Sequence, residues 1–421
     1  MGSDKRASMR EGPLAALFAR TDKDAPEQSA PVEQATPAER LRKAFTGDRR
    51  DPATRAGQLE LERNGGTMTP KAGGPVLRVV GVGGAGTNAV DRMIEAEVAG
   101  VDFLAVNTDM QSLQQSGADI TLAIGQHVTH GRGSGSDPNV GRQAAIDDFD
   151  MVKESLKGSD MVFVTAGAGG GTGTGAAPIV ARVARELGAL TVGIVTTPFA
   201  FEGKRRAEAA QHGIDVLAQE VDTLIVVPNE RLLAVLDKQT SMVEAFRVAD
   251  DVLRQGVQGI SDLITLPGLI NLDFADVCTI MSQAGSALLG IGIGTGEHRA
   301  TEAAMQAVAS PLLETSMEGA RSILLSITGG TDISLWEVNE AARAVAEAAH
   351  PDANIIFGAT VDEKLTDQVW VTVVATGYGD RGRRRSLERL EGTGEVRVKR
   401  TAPAPVGRGD DLDVPEFMPG R

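Results

Sequence analysis

Cysteine occurs once in 421 residues, at Cys278, which excludes a disulfide framework within the chain and fits a reducing compartment. The five histidines and that cysteine show no metal-ligand spacing. His127 and His130 read as polar loop residues, and Cys278 as a small helix residue. Aromatic residues make up only 3% of the chain, so Val, Ile, Leu and Ala must fill the core, as in α/β proteins with buried parallel strands. No apolar run reaches the length of a membrane-spanning helix, and the first residues lack a signal-peptide core, which points to the cytosol. A GxxxxGK[ST] stretch is also missing, so no lysine of that motif backs a phosphate. The net charge is −15, with small basic excesses only in residues 1–75 and 379–421. The body therefore lacks the basic face that broad nucleic-acid binding needs.

Glycine, by contrast, is abundant at 50 residues, and two glycine-rich turns dominate the pattern. GVGGAGTN (Gly81–Asn88) follows the apolar run Val76–Val80, and GGGTGTG (Gly169–Gly175) follows MVFVTA (Met161–Ala166). Each turn opens into an alanine-rich helical stretch. Glycine lets backbone N–H groups crowd around an anion, and a helix N-terminus adds partial positive charge. Two such turns at one edge of a parallel sheet can cradle a polyphosphate from both sides, with Thr172 and Thr174 supplying hydroxyls. Gly81, Gly83 and Gly86 alone match GxGxxG, and Asp109 ends the second strand region, which taken singly supports a nicotinamide-dependent oxidoreductase. The second turn disfavours that reading, because dinucleotide folds spend one such turn on the pyrophosphate.

The pattern predicts strands at 76–81, 101–107, 119–124, 160–166, 190–196 and 222–228, with helices between them, hence a Rossmann-like parallel sheet covered on both faces. A long helix follows at 242–260. Beyond it, helices at 274–284, 297–309 and 334–348 alternate with strands at 286–294, 321–328, 354–360 and 369–376, a second, smaller α+β domain. The expected organisation is a disordered extension over 1–74, a nucleotide-binding domain over 75–240, a core helix over 241–262, a mixed-sheet domain over 263–378, a flexible linker over 379–409 and a docking peptide over 410–421. Met68 is a candidate alternative start.

GGGTGTG followed by AAPIVA, PFAFEGKRR (Pro198–Arg206) and NLDFADV (Asn271–Val277) closely resemble FtsZ, the bacterial tubulin-like GTPase of cell division. The similarity spans Val76 to about Tyr378 and again the terminal peptide, and EAAHPDAN (Glu347–Asn354) is similar to actinobacterial members. The resemblance implies the tubulin/FtsZ fold, GTP and GDP as ligands with Mg²⁺ carried by the nucleotide, and a cytoplasmic protein at the mid-cell division site. By residue, it implies that Gly84, Ala85, Gly86 and Asn88 line the phosphates, ribose and base edge. Gly170, Gly171, Thr172 and Gly173 would serve the β- and γ-phosphates. Glu202 would accept from the ribose and Arg206 would reach the nucleotide as a cation, while Asn229 and Asp251 would read guanine and Phe246 would stack on it. An aspartate suits guanine because its two oxygens accept from N1–H and the exocyclic amine together.

Asn271, Asp273 and Asp276 would form the catalytic loop. In the family this loop lies opposite the nucleotide and acts in the next subunit of a head-to-tail filament. A family member with little hydrolysis, acting as a structural or regulatory filament component, is the alternative. It is suggested by GRGSGSDP (Gly131–Pro138), which departs from the usual loop by placing Arg132 and Asp137 near the γ-phosphate, where an aspartate should weaken binding. The terminal LDVPEFM resembles the tail peptide that docks membrane tethers and regulators, with Leu412, Val414, Pro415 and Phe417 as contacts. RGRRR (Arg381–Arg385) reads as a solvated charge run, so neither membrane insertion nor nucleic-acid binding is expected.

Overall fold

The computed structural model describes residues 74–378, except 235, 238, 267, 311 and 313–316. The extension before residue 74, the linker and the terminal peptide lie outside the described residues. Six strands form the first part of the sheet: β1 (Leu77–Val82), β2 (Val101–Asn107), β3 (Ile120–Ala123), β4 (Met161–Gly167), β5 (Leu190–Thr197) and β6 (Thr223–Pro228). The helices among them are α1 (Gly83–Glu95), α2 (Met110–Gln115), α3 (Gln126–Thr129), α4 (Pro138–Asp147), α5 (Phe149–Leu156), α6 (Thr172–Glu186), α7 (Lys204–Leu217) and α8 (Asn229–Leu232). All neighbouring pairs in this part are parallel.

Alternate residues of the strands feed two cores, as buried parallel strands require. Val79, Phe103, Phe163 and Ile194 belong to one, together with Val248, Val252, Val257 and Ile260 of the central helix α9 (Met242–Thr265). Val80, Leu104, Val164 and Val195 belong to the other, with Ile179, Val180 and Val183 of α6. Ser241 caps α9, accepting from the Glu244 amide at 3.2 Å. At 24 residues the helix is about 36 Å long. Its start lies beside the carboxyl ends of the strands. Its last residue, Thr265, packs so closely on Gly100, just before β2, that a Cβ there would lie 2.5 Å from the Thr265 Cβ.

The second part comprises α10 (Phe274–Met281), β7 (Gly285–Thr295), α11 (Arg299–Val308), β8 (Ser322–Gly329), α12 (Leu335–Ala348), β9 (Asn354–Val361) and β10 (Gln368–Thr376). Its own core joins Ile323, Leu325, Val369 and Val371 to Ala303, Ala307, Val338 and Val345. The parts are not separate layers. β6 pairs with β7 in parallel, from Thr223↔Gly285 to Ile225↔Ala287, giving one ten-stranded order β3-β2-β1-β4-β5-β6-β7-β10-β8-β9. β10 runs antiparallel to β7 and β8. A Rossmann-like parallel-sheet part thus shares its sheet with a smaller mixed-sheet part.

Candidate functional site

From β1 the chain winds through β2 to β3 in one direction, then returns to β4 and winds through β5 to β6 in the other. The crevice outside the carboxyl ends of β1 and β4 is therefore a topological switch point, where open α/β sheets bind ligands. Both glycine turns meet there. Gly83 has φ +73° and a Cβ on it would lie 2.6 Å from the Gly173 nitrogen, while one on Gly167 would lie 2.6 Å from the Ala85 Cβ. Neither α1 nor α6 has a side-chain cap, so the positive ends of both helices face the crevice without an internal anion.

The cleft has a volume of about 400 Å³ and gathers most of the predicted residues: Gly84, Ala85, Gly170, Gly171, Thr172, Gly173, Glu202, Arg206, Asn229 and Phe246. Phe246 is 39% exposed and meets Phe199 edge-on at 5.5 Å, which leaves part of its ring open to the cleft. Asn229 is buried, yet its Oδ1 has no hydrogen-bond partner. An orphaned acceptor of this kind is costly unless a ligand supplies a donor. Glu202 accepts from the Phe199 amide at 2.9 Å and pairs with Arg206 at 2.8 Å. The two act as one neutralised unit rather than as an acceptor and a separate cation.

Three predictions differ in place. Asp251 does not line the cleft: its carboxylate is taken by the Arg254 guanidinium at 2.6 Å and the Gln255 amide at 3.1 Å. Its neighbour Asp250 lines the cleft instead, one step of about 100° around the helix. Burial pushes the Asp250 carboxyl up to about 7, Arg92 opposing and Asp251 adding to the rise. Gly86 sits beneath the floor, where a Cβ would come within 2.5 Å of the Thr165 carbonyl oxygen, so it lets α1 approach β4 rather than facing a ligand. Asn88 is exposed and outside the lining.

The lining also includes Asn107 at the end of β2, Asp109 and Ser112 after it, the loop Gly133–Ser136, and Thr196–Pro198 at the end of β5. Their signal in the sequence is their position at the carboxyl ends of predicted strands. Asp109 accepts from the Gln111 amide at 3.0 Å and caps α2. Asp137, expected near a phosphate, instead caps α4 by accepting from Asn139 at 2.9 Å, and neither it nor Arg132 lines the cleft.

The acidic loop lies past the far end of α9. Asp273 caps α10 through a 2.8 Å bond from the Asp276 amide, and Asn271 accepts from Gly268 at 2.6 Å. Asn271 and Asp273 are exposed. The length of α9 separates this loop from the cleft of the same chain.

The model of the tubulin/FtsZ family GTPase domain matches residues 76–237, and that of the FtsZ family C-terminal domain matches residues 285–379. A solved FtsZ dimer from M. jannaschii is 43% identical with a TM-score of 0.71, over 74% of this chain and 90% of that one. The chain belongs to the tubulin/FtsZ family. CetZ2 from Haloferax volcanii, solved as a GTPγS-bound protofilament, shares the fold at 22% identity and a TM-score of 0.63, over 75% of this chain and 99% of that one. These FtsZ-family relatives are archaeal, so the actinobacterial resemblance of the EAAHPDAN segment is not supported as a narrower placement. Among the described residues, no helix is long and apolar enough to cross a membrane.

Proposed function

We propose that this FtsZ-family chain binds and hydrolyses GTP and polymerises head to tail. The observation that carries the nucleotide choice is two acceptors in the lining of the cleft: the orphaned Asn229 Oδ1 and the half-buried Asp250 carboxyl. Guanine presents N1–H and an exocyclic amine on one edge, which suits two acceptors, whereas adenine lacks that donor pair. Asp250 takes the part that the sequence assigned to Asp251. Phe246 would cover the ring, the Glu202–Arg206 pair would face the ribose, and the two glycine turns would hold the phosphates with backbone N–H groups. A magnesium ion carried by the triphosphate would offset its negative charge.

Hydrolysis needs a group that orients water at the terminal phosphate, and the exposed Asn271 and Asp273 with the half-buried Asp276 are the candidates. Because they sit at the opposite end from the cleft, they can act only in a neighbouring copy. A contact joining two different ends is heterologous and does not close, so it extends into a filament. The dimer recorded for the M. jannaschii relative supports association within this family. Service at the division ring, with Leu412, Val414, Pro415 and Phe417 docking partner proteins, belongs to the same proposal.

The test is GTP turnover per subunit against protein concentration, with pelleting in parallel, for wild type and Asp276→Ala. We expect turnover to rise above a critical concentration in wild type and to fall by about a hundredfold or more in the variant, which still binds GTP. Turnover independent of concentration would refute the shared site, and failure to bind GTP would refute the nucleotide reading.

A further inference from the structure

Asp250 lines the cleft and Asp251 does not, although the two are neighbours on α9. What holds Asp251 back is a pair of residues one turn further along. The Arg254 Nε donates to one oxygen of Asp251 at 2.6 Å, and the Gln255 Nε2 donates to the other at 3.1 Å. Arg254 also donates from Nη1 to the Gln258 Oε1, so its planar head is fixed at two points. Arg254 and Gln255 are buried, and the Asp251 side chain is only 15% exposed. Taking one partner from a buried ion pair leaves the other as an uncompensated charge.

That charge would stand beside Asp250. Burial pushes the Asp250 carboxyl up, Arg92 of α1 opposes, and Asp251 of α9 adds to the rise. Arg92 is itself paired with Glu95, so its cation is shared. The other charged residues of the cleft lining are Asp109 after β2 and the Glu202–Arg206 pair. Within this set Asp251 and Arg254 form a unit of no net charge. Removing the cation turns the unit into an anion next to Asp250, and removing the anion turns it into a cation. A carboxylate is harder to form beside the first and easier beside the second.

We propose that Arg254 is a positioning residue for Asp250: it holds Asp251 out of the cleft and cancels its charge, so that Asp250 alone is offered to the edge of a guanine. This rests on the nucleotide reading above. Arg254 does not line the cleft and acts only through Asp251. Its contribution is therefore electrostatic. Losing it should displace the pH profile of nucleotide binding, whereas the loss of a merely structural contact would weaken binding equally at every pH.

The experiment measures GDP binding, with Mg²⁺, to the full chain across the pH range on both sides of neutrality. It compares wild type, Arg254→Lys, Arg254→Met, Asp251→Asn and the double variant Arg254→Met with Asp251→Asn. Titration of the nucleotide itself is common to all five, so the differences between them carry the result. We expect the midpoint of the pH dependence to move up by about one unit in Arg254→Met and down by about one unit in Asp251→Asn. It should return to the wild-type value in the double variant, where the unit is again uncharged. Arg254→Lys keeps a cation and should stay near wild type. Asp251→Asn carries the test if the methionine variant does not fold. A midpoint that does not move, with or without a uniform loss of affinity, would make Arg254 structural only. Shifts of the same sign in both single variants would remove the Asp251 charge from the account. Either result overturns the proposal while leaving the nucleotide reading intact, and a wild-type chain that binds no GDP at any pH would overturn both.

Discussion

Adjacent aspartates on α9 divide two tasks between them. Asp251 is spent within the protein on Arg254 and Gln255, whereas Asp250 is held in the cleft with little solvent and no matching cation bonded to it. Its folded value of about 7 lies above the ordinary 3.8, so between these values the folded chain holds a proton that the unfolded chain has released. Stability contributed by this group consequently falls as pH rises from about 4 to about 7. Asp262, raised to about 6 by burial and opposed by a Gln258 hydrogen bond, adds in the same direction. Asp250→Asn should therefore gain more stability over wild type at pH 8 than at pH 5, measured by denaturant unfolding without nucleotide. The donors of guanine favour the ionised carboxylate, so wild-type GTP affinity should drop as pH falls below about 7. The asparagine variant should bind about a hundredfold more weakly and lose that pH dependence, as titration calorimetry would show.

At the scale of elements, the approach of α1 to β4 is set by a missing side chain. Gly86→Ala would press a methyl against the Thr165 carbonyl and the Gly81 backbone. The variant should lose about 1–3 kcal/mol, read as a lower Tm, with weaker nucleotide binding because α1 carries one of the two phosphate-facing turns. Most elements were legible because doubly buried strands are continuous apolar runs and α9 has an apolar face through many turns. The helix ends moved, with the one expected to stop at 260 running to Thr265 and the one expected to reach 284 stopping at Met281. Asp251 was carried over from the family resemblance, and only the face that α9 turns to the cleft picks out its neighbour Asp250. Asn107 and Thr196 were illegible for another reason. Each stands at the carboxyl end of a different strand, and only the parallel pairing of β2, β1, β4 and β5 brings them to one rim. The burden expected of Asp137 disappeared because an aspartate before Pro138 is a helix cap, a local role that outcompetes a distant one.

Over the whole molecule, α9 spans from the cleft, where Asp250 lines it, to the edge of the acidic loop, and the continuous sheet holds the two ends at fixed separation. On the proposed function, Asp276→Ala and Asp250→Asn disable opposite ends of the subunit: the first loses what it would lend to a neighbour, the second what it would need for itself. If each junction draws on one end of each of two copies, the damage is separable. Two proteins that are each inactive alone should regain turnover when mixed, because an Asp276→Ala subunit offers an intact cleft to the intact loop of an Asp250→Asn subunit. With equal amounts and random order, about a quarter of the junctions would pair sound halves. Activity plotted against composition would then trace an arch, lowest at either pure variant and highest at parity, the signature of a reaction owned by the boundary between molecules.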